Sequence, residues 1–412
     1  MKSEHHPMPT TSTDTPAADG IVCFAGIDWW YHNRGHSEGQ IMTRLARRVP
    51  VLWVNSIGMR MPRPGRTEKA LTRYVRKLRS TLHGLRRDES GMWVLSPLFV
   101  PRHTRRALEL NGGLVGGQVG LCLRRMGVRR PAAWVTLPTA TPIVERRAWQ
   151  RVVFSRSDDF AHLPEVDVET IEGLEERLFA RSDSAVFVNR VLYERDRGRT
   201  RDARLLDHGV DFAHFAAVDG LREDCPAELA GLPRPIFGFY GALDEYTIDL
   251  ELLIRTARRI APATLLLIGP RQMDTQALER EPNVRYLAQR PYAELPRYAA
   301  QFDVALMPWL RNEWIAHCNP IKLKEYLAMG RPCVSIRFPE LARYDGLVHV
   351  AENGEEFLEA LARAAAEDDP ALRERRREAV RASSWESLAD QVGGLLGLPT
   401  NGSVGPPPGE RA

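Results

Sequence analysis

Residues 302–334 read FDVALMPWLRNEWIAHCNPIKLKEYLAMGRPCV, and this stretch decides the fold class of the chain. The apolar run before Pro308 predicts a buried strand, and the polar residues after it predict a loop. The segment NPIKLKEYLAMG then predicts a helix that ends at Gly330. A second apolar run follows from Cys333. Strand, loop, helix and strand in this order are typical of parallel sheets covered by helices.

The same alternation extends on both sides of this stretch, with one break near residues 219–234. The first half predicts strands at 21–25, 51–54, 93–95, 133–136, 152–155 and 184–188, and the second half predicts strands at 236–240, 264–268, 284–286, 304–307, 333–336 and 348–350. We therefore expect an α/β protein with two Rossmann-like domains. The predicted parts are a disordered tail over 1–19, a domain over 20–218, a linker over 219–232, a domain over 233–396 and a disordered tail over 397–412.

Composition and charge exclude several classes of protein. Of the 412 residues, 43% are hydrophobic and 27% are charged, which excludes a mainly disordered chain. The formal net charge of +4 is too balanced to indicate nucleic-acid binding. No apolar run approaches the ~20 residues that span a bilayer, and residues 1–20 lack the apolar core of a signal peptide. We therefore expect a cytoplasmic protein.

The spacing of the cysteines and the absence of common cofactor motifs disfavour further types of site and reaction. No two cysteines form a CxxC pair, so neither a zinc site nor a disulfide framework is indicated, and we expect reduced thiols. No GxGxxG follows residues 21–25, and the motifs GxxxxGK[ST] and GxSxG do not occur. Dinucleotide, P-loop and serine-hydrolase chemistry are therefore disfavoured.

Four segments of the second half resemble a known family. The stretch 302–334 and the upstream segments FGFYGALDEYTIDLELL, LLLIGP and PNVRYLAQRPYAELPRYAAQFDV resemble the nucleotide-sugar signature of GT-B glycosyltransferases. The likeness is greatest to the large retaining family 4 (group 1), including its bacterial surface-polysaccharide and teichuronic-acid-type members. In the first half, DHGVD (207–211) stands where that family has an NGVD turn. The resemblance covers about residues 20–395.

This resemblance implies an architecture and a reaction. In a GT-B protein two Rossmann-like domains face each other across a cleft. The first domain would bind the acceptor and the second the nucleotide sugar, with the last helix (384–396) packing back toward the first domain. Hexosyltransferase-like activity would need neither a metal nor another cofactor, because the nucleotide sugar is a co-substrate.

The candidate donor-binding residues lie in the second domain. Glu325 could accept two hydrogen bonds from the ribose hydroxyls, or it could only pair with Lys322 or Lys324 along its helix. Asn319 is expected to cap this helix, whose N-terminus would face the diphosphate together with Lys322. Gly241 would allow the backbone to approach the diphosphate closely. The remaining candidates are two arginines for the phosphates and a tyrosine for the base: Arg271, Arg290 and Tyr292.

Two departures from family 4 fall at this site. Members commonly carry two glutamates eight positions apart, the earlier one near the transferred sugar, and the corresponding residue here is His317. His317 is therefore a candidate catalytic residue by position. Where members carry an Arg and a Lys after the glycine loop, this chain has residues 242–245, ALDE. The charge of the diphosphate must then be met by Lys322, Arg271 and helix ends.

Candidate catalytic residues also occur in the first domain. Asp158 and Asp159 follow the strand predicted at 152–155, and they could position the acceptor hydroxyl or stabilise oxocarbenium-like charge. They could equally cap a turn or form a loop salt bridge. His36 and Ser37, at the start of the first helix, could face the same crevice, although Ser37 could also act as the helix cap.

A basic amphipathic helix is predicted over 67–85. Its apolar residues recur every three or four positions, and the stretch 60–87 carries ten Lys and Arg residues, with Glu68 the one acidic residue among them. A solvated surface helix is one interpretation. Others are attraction to anionic lipid headgroups or to a phosphate-bearing acceptor, and nucleic acid is the least favoured.

The sequence thus predicts a glycosyltransferase that moves a sugar from a nucleotide-diphosphate sugar to an acceptor hydroxyl. Family analogy implies retention and a place in polysaccharide or glycoconjugate synthesis. The acceptor could be lipid-linked and the protein peripheral on the inner face of the membrane. Two alternatives stay open: a sugar-nucleotide epimerase of the same architecture, and a degenerate relative that binds a sugar nucleotide without catalysis.

Overall fold

The computed structural model describes residues 16–31, 35–58, 79–102, 104–162 and 166–399. The strands of the first sheet are β1 (Gly20–Phe24), β2 (Val51–Val54), β3 (Leu85–Arg87), β4 (Trp93–Leu95), β5 (Pro131–Val135), β6 (Val152–Arg156), β7 (Ser184–Phe187) and β8 (Ala203–Leu205). Those of the second sheet are β9 (Ile236–Tyr240), β10 (Thr264–Ile268), β11 (Val284–Leu287), β12 (Val304–Met307), β13 (Cys333–Ile336) and β14 (His349–Ala351). The α/β fold class is confirmed.

The helices cover both sheets. Those from the first half of the chain are α1 (Ser37–Leu45), α2 (Arg105–Met126), α3 (Thr141–Val144), α4 (Val168–Arg181), α5 (Arg190–Asp196), α6 (Phe212–Ala216) and α7 (Val218–Leu221). Those from the second half are α8 (Leu250–Ile260), α9 (Gln276–Glu279), α10 (Leu295–Ala299), α11 (Glu313–Ala316), α12 (Ile321–Met329), α13 (Gly354–Ala365), α14 (Pro370–Arg381) and α15 (Trp385–Leu395). Among the helices described, none has the length and apolar composition needed to cross a bilayer.

The two sheets have the same strand order apart from two additional edge strands, β3 and β8, in the first. The first runs β3-β4-β2-β1-β5-β6-β7-β8 and the second β11-β10-β9-β12-β13-β14, and every pair is parallel except β3 with β4. In each sheet the order reverses beside the first strand, between β1 and β5 and between β9 and β12. Open α/β sheets bind ligands in the crevice outside the carboxyl ends of the strands at such a reversal. The topology therefore marks one crevice in each domain.

Burial explains why most strands could be located from sequence. All residues of β9, β10, β12 and β13 are buried, because helices cover both faces of the sheet. Helix α12 ends as its sequence predicts, with Gly330 in the left-handed conformation at φ 71°. The five cysteines are free thiols, as expected.

The last helix belongs to the first domain by its packing. On α15, Trp385, Leu388 and Val392 are buried in one cluster with Met42 and Leu45 of α1. Two ion pairs lie at the rim of this contact: Arg44 of α1 with Glu386 at 2.7 Å, and Arg48, in the turn after α1, with Asp390 at 2.6 Å. The chain therefore crosses between the domains twice.

The ends of the first domain differ from the predicted boundaries. The predicted tails 1–19 and 397–412 both reach into packed structure, since the Ala18 amide donates to the carbonyl of Gly397 at 2.9 Å and Leu398 is buried. A short apolar contact between two polar segments is enough to order these residues. The prediction of disorder was wrong for residues 16–19 and 397–399, and the rest of both tails lies outside the described residues.

The end of the first domain, predicted at residue 218, was placed too far along the chain. Val210, Phe215 and Val218 are buried in the core of the second domain. The predicted linker 219–232 is also packed on that domain, since Asp219 pairs with Arg377 at 2.7 Å and Leu229 is buried. The first sheet ends with β8, and the chain joins the second core as soon as its apolar residues resume.

The helix predicted over 67–85 falls largely on residues 59–78, which lie outside the described part. Within the described part, residues 79–81 are helical. Residues 85–87 form β3, antiparallel to β4, so the prediction of a helix as far as Leu85 was wrong there. Leu85 packs against the core of the first domain rather than continuing a helical stripe.

Candidate active site in the interdomain cleft

Glu325 is the buried acid of the second-domain crevice. It lies on α12, is 4% exposed, and accepts a hydrogen bond from the hydroxyl of Tyr240 on its Oε2 at 2.8 Å. Tyr240 is the last residue of β9, so the contact lies at the carboxyl end of the sheet. Burial raises the pKa of Glu325 to about 7, against the opposing effects of hydrogen bonds with Tyr240 and Tyr292 and of the cation of Lys322. The carboxylate is thus shielded from water and has few protein partners in its place.

Lys322 and Gly241 form the neighbouring part of this crevice. Gly241 follows β9 with φ 147°, and a Cβ on it would lie 2.5 Å from Nζ of Lys322. The ammonium group stands 4.7 Å from the ring centroid of Phe239 and 5.7 Å from that of Trp309. Burial lowers the pKa of Lys322, and the charges of Glu325 and Asp244 oppose this. A cation held against glycine backbone suits a phosphate group.

Gly269 reinforces this arrangement from behind. It follows β10 with φ 151°, and a Cβ on it would lie 1.9 Å from the carbonyl oxygen of Gly241. Only glycine fits there, so the two loops after β9 and β10 are in close contact. The acidic segment 242–245 forms a turn beside this point, in which the carboxylate of Asp244 accepts from the amides of Tyr246 and Thr247, each at 3.0 Å, while its charge still acts on Lys322.

Tyr292 connects the two halves of the cleft. A Cβ on Gly35 of the first domain would lie 2.7 Å from its ring. Its buried hydroxyl lies beside Glu325, which acts on it both as a charge and as a hydrogen-bond partner. Burial and the charge of Glu325 raise the pKa of that hydroxyl. A buried hydroxyl beside a buried carboxylate is suited to contact a polar ligand that enters the cleft.

The first-domain half contains a carboxyl that the sequence did not single out. Glu38, in the first turn of α1, has its Oε1 3.4 Å from the point where a Cβ on Gly26 would lie. Thr136, just after β5, hydrogen-bonds to it, so Glu38 lies at the reversal between β1 and β5. Burial, and secondarily the charge of Asp158, raises the pKa of Glu38 to about 7. The sequence offered one signal for Glu38, since it is an acidic residue in the first turn of the helix that follows β1.

Asp158 faces the second domain, whereas Asp159 does not. The charge of Asp158 acts on both Glu38 and the thiol of Cys318 across the cleft, adding to the effect of burial in raising the pKa of each. Asp159 is 1% exposed and is held by Arg195 at 2.6 Å and Arg156 at 3.4 Å. Adjacent aspartates therefore have different surroundings, and the geometry favours Asp158 alone as a group for the acceptor.

Asn319 joins the domains instead of capping α12. The residue that precedes the helix is Pro320, which has no side-chain cap. The Asn319 amide donates to the carbonyl of Val188 at 2.5 Å and to Oδ1 of Asp207 at 2.7 Å, both in the first domain. The capping prediction was wrong, because these partners from another part of the chain compete for the same side chain. Its role in donor binding stays a prediction.

Lys324 also joins the domains. Its ammonium group lies 2.7 Å from Oδ2 of Asp207, and Arg343 contacts the same oxygen at 2.5 Å. Although burial acts to raise the pKa of Asp207, the charges of Lys324 and Arg343 lower it to about 2. Lys322 lies beside Gly241, whereas Lys324 pairs with Asp207. Neither lysine makes an ion pair with Glu325 in the described structure. The pairing along the helix that the sequence left open is not formed.

The other three candidates are engaged outside the Glu325 crevice. Arg271 contacts Glu279 at 2.5 Å and lies over the ring of Tyr286 at 4.2 Å. Arg290 pairs with Glu228 at 2.7 Å. His317 directs its Nδ1 to the carbonyl of Glu313 at 2.7 Å, and its own carbonyl accepts from Asn189. Their roles in binding or catalysis stay predictions.

At the start of α1, His36 takes the capping position without a side-chain cap bond, so Ser37 is not the cap. Over the described ranges no group of three or more His, Cys, Asp or Glu residues is placed to hold a metal ion.

Comparison with known proteins agrees with this geometry. Residues 234–367 match the family model described as glycosyl transferases group 1. Over 292 residues the chain is 25% identical to TuaH of Bacillus subtilis (strain 168), whose name assigns it to teichuronic acid biosynthesis as a glycosyltransferase, and the match covers 65% of this chain and 72% of TuaH.

Solved structures show the same architecture over most of the chain. A sucrose-phosphate synthase from Thermosynechococcus elongatus matches with a TM-score of 0.65 and 17% identity, covering 92% of this chain and 98% of that one. An E. coli trehalose-6-phosphate protein bound with UDP-2-fluoro glucose matches with a TM-score of 0.60 and 14% identity, covering 92% and 99%.

The predicted architecture of two facing Rossmann-like domains is confirmed by these structures, which show the fold. The matched family covers β9 to β14 and the whole Glu325 crevice. Neither an epimerase nor a non-catalytic relative is favoured by the matches. The chain is a glycosyltransferase with the GT-B fold, and residues 234–367 of its second domain match the group 1 glycosyl transferases.

Proposed function

We propose that the chain transfers a sugar, with retention, from a nucleoside diphosphate sugar to a carbohydrate hydroxyl during assembly of a surface polysaccharide or related glycoconjugate. One observation carries the proposal: Glu325, Lys322 and Gly241 at one strand reversal face Glu38 and Asp158 at the other. Similarity to TuaH supports the polysaccharide, and the resemblance to retaining family 4 supports the stereochemistry.

The donor half assigns a task to each group. Glu325, as a carboxylate, accepts hydrogen bonds from the two ribose hydroxyls. The ammonium group of Lys322 and the backbone at Gly241 hold the diphosphate, and Lys322 stabilises the negative charge that develops there as the sugar departs. The Tyr292 hydroxyl, which lies beside Glu325, adds a hydrogen bond to the bound donor.

The acceptor half positions a hydroxyl. Asp158 accepts a hydrogen bond from the acceptor hydroxyl and orients its oxygen toward the anomeric carbon. Glu38 has a pKa of about 7, so near neutral pH it can either donate or accept a hydrogen bond on the same sugar. We also propose that no metal is needed, as the GT-B resemblance implies. Activity should then survive a chelator such as EDTA.

The test uses purified full-length protein. Thermal shift with UDP-, GDP- and dTDP-sugars identifies the donor, since a ligand of the native state raises the apparent stability. Turnover is then measured with carbohydrate acceptors, and the anomeric configuration of the product is read by NMR. Inversion in the product would refute retention, and release of an epimerised sugar nucleotide without acceptor would refute transfer.

Asp158→Asn and Glu38→Gln test the acceptor half. Each should lower turnover by at least ~10-fold, because a hydrogen bond to a charged group is lost, and should leave donor affinity intact. Glu172→Gln, on the exposed side of α4, is the matched control. Full turnover in both cleft variants would remove these residues from the acceptor site.

A lipid-linked acceptor is a finer part of the proposal. The sequence of residues 67–82 combines clustered cations with apolar residues at intervals of three or four, which suits an anionic membrane surface. Replacing Arg73, Arg76, Lys77 and Arg79 by Gln should then weaken binding to anionic vesicles at low salt without changing donor affinity. Equal vesicle binding by the variant would remove this segment from the membrane contact.

A further inference from the structure

The outer face of α2 presents leucines to solvent. Leu110, Leu114 and Leu121 are 65%, 47% and 62% exposed, and their spacing places them on one side of the helix. Leu98, 63% exposed, is fixed beside them, because the Gln118 side chain accepts from its amide at 2.9 Å and donates to its carbonyl at 2.8 Å. We call these four residues the leucine face. They are four of the seven exposed large apolar side chains in the described structure.

Arginines border the leucine face at both ends. Arg105 and Arg106 are exposed at the start of α2, and Arg124 and Arg125 at its end. The one acidic residue of the helix, Glu109, is already paired with Arg146 at 2.8 Å and Arg177 at 2.9 Å. The surface is therefore apolar in the middle and cationic at its ends.

The position of α2 leaves this face uncovered by the rest of the described fold. Its inner residues, such as Val115 and Val119, pack on the side of the first sheet opposite α1 and α15. The helix leads from the carboxyl end of β4 to the start of β5, so its first turn lies at the edge of the sheet that faces the cleft.

We propose that the leucine face is a docking surface for an anionic lipid bilayer. The helix lies in the plane of the interface with its leucines among the upper acyl chains, and the arginines at both ends reach the lipid phosphates. Leu110 and Leu121 are eleven positions apart, or roughly 16 Å along the helix at about 1.5 Å per residue. Docking in this way brings the cleft edge of the first domain to the membrane.

Charge argues against two other occupants. If a second copy of the chain paired with this face, arginine ends would meet arginine ends whether the helices ran parallel or antiparallel, and like charges repel. Residues 59–78 of the same chain carry seven Lys and Arg against one Glu, so they too would bring like charge to the arginines. Phosphates of anionic lipids complement both the charge and the apolar centre.

The test measures binding of the full-length protein to vesicles in the absence of any donor, so that its outcome is separate from transferase activity. Vesicles of phosphatidylcholine alone are compared with vesicles containing half phosphatidylglycerol, at about 50 and 500 mM salt. Wild type should bind the anionic vesicles at low salt. The triple variant Leu110→Gln, Leu114→Gln, Leu121→Gln should lose at least ~10-fold of this binding.

Matched variants make the result specific. Replacing Arg105, Arg106, Arg124 and Arg125 by Gln should lower binding ~10-fold at low salt and weaken its salt dependence. A control variant replaces four exposed arginines of the second domain by Gln and should change neither the binding nor its salt dependence; these are Arg259, Arg280, Arg363 and Arg375. Val168→Gln with Leu205→Gln controls for loss of exposed apolar side chains elsewhere. Equal thermal unfolding of all variants shows that they are folded.

Three outcomes would overturn the proposal. The first is wild type that ignores anionic vesicles at low salt. The second is a triple leucine variant that binds as tightly as wild type, in which case the contact lies in another segment such as 67–78. The third is a lipid-free dimer in sedimentation equilibrium that the triple variant dissociates, which would make a second copy the occupant.

Discussion

Two buried carboxylates, Glu325 and Asp159, are close in exposure, 4% and 1%, but have opposite surroundings. Asp159 belongs to a compensated cluster in the first domain, where Arg156 and Arg195 contact it and Arg156 also reaches Glu175 and Asp196. Glu325 has the hydrogen bond from Tyr240 and a cation, Lys322, that lies against Gly241 instead.

The difference separates a structural acid from a binding acid. A buried carboxylate surrounded by guanidinium groups has its lone pairs filled and can offer little to a ligand. A buried carboxylate with few partners has a raised pKa and retains acceptor capacity, which a substrate can use. Burial alone would have classed Glu325 and Asp159 together, and only their partners distinguish them.

The largest expected effect comes from breaking the compensated cluster. Arg156→Met should lower the free energy of unfolding by about 3–5 kcal/mol, because three buried acids lose a cation that they share. Chemical denaturation measures this, and Arg197→Met, at an exposed arginine paired with Glu194, is the control and should change it by less than about 1 kcal/mol. A similar small loss for Arg156→Met would mean that the cluster is not needed for stability.

The pH dependence of stability should differ between wild type and Glu325→Gln. The folded pKa of Glu325 is about 7 against an ordinary value of 4.5, so the folded state holds the proton more tightly and stability falls as pH rises between these values. The full difference is about 3 kcal/mol. Relative to wild type, the variant should therefore gain stability from pH 4.5 to pH 8. Parallel stability curves for the two proteins would contradict an elevated pKa.

Donor affinity should respond next. At pH 8, where Glu325 is ionised, Glu325→Gln should weaken donor binding by about 1.5–3 kcal/mol, the range for hydrogen bonds to charged groups, with folding intact. Glu359→Gln, on the exposed face of α13, is the matched control and should bind as wild type. Calorimetric titration gives both affinities. An unaltered affinity in Glu325→Gln would remove this residue from the donor site.

The smallest expected effect concerns Lys322. Lys322→Gln should weaken binding of a nucleoside diphosphate by about 1.5 kcal/mol, the lower end of that range, because backbone groups at Gly241 share the charge. Binding of the nucleoside without phosphates should be unchanged. If both ligands lose affinity equally, Lys322 supports the fold of the crevice and does not hold the diphosphate.

Sequence reasoning located what depends on local pattern. The bounds of β2, β9, β10, β12 and β13 agree residue for residue with the predicted strands, since each is a continuous buried run. The edge strands β3 and β8 were missed, because three-residue strands with exposed polar side chains carry no such run. Helix α14 was not predicted either, as it buries little more than Arg376 and Val380.

Only the part of the site that depends on residues close together in the sequence could be predicted. Glu325 follows from one helix and its motif. The surroundings of Glu38 come from Gly26, Thr136 and Asp158, which lie far apart in the chain and meet only at the reversal of the first sheet. The same reason explains Asn319, whose partners Val188 and Asp207 belong to the other domain. Contacts of this kind have no signature in a single sequence.

The return of α15 to the first domain has a consequence for how the protein is made. The ribosome completes the second domain before it synthesises residues 385–398, so that domain can fold while the first still lacks its last helix. Until then Met42 and Leu45 of α1 have no cover. A nascent chain that stalls in this interval exposes the apolar face of α1 on the first domain. The domain that is synthesised first is therefore the last to complete its fold.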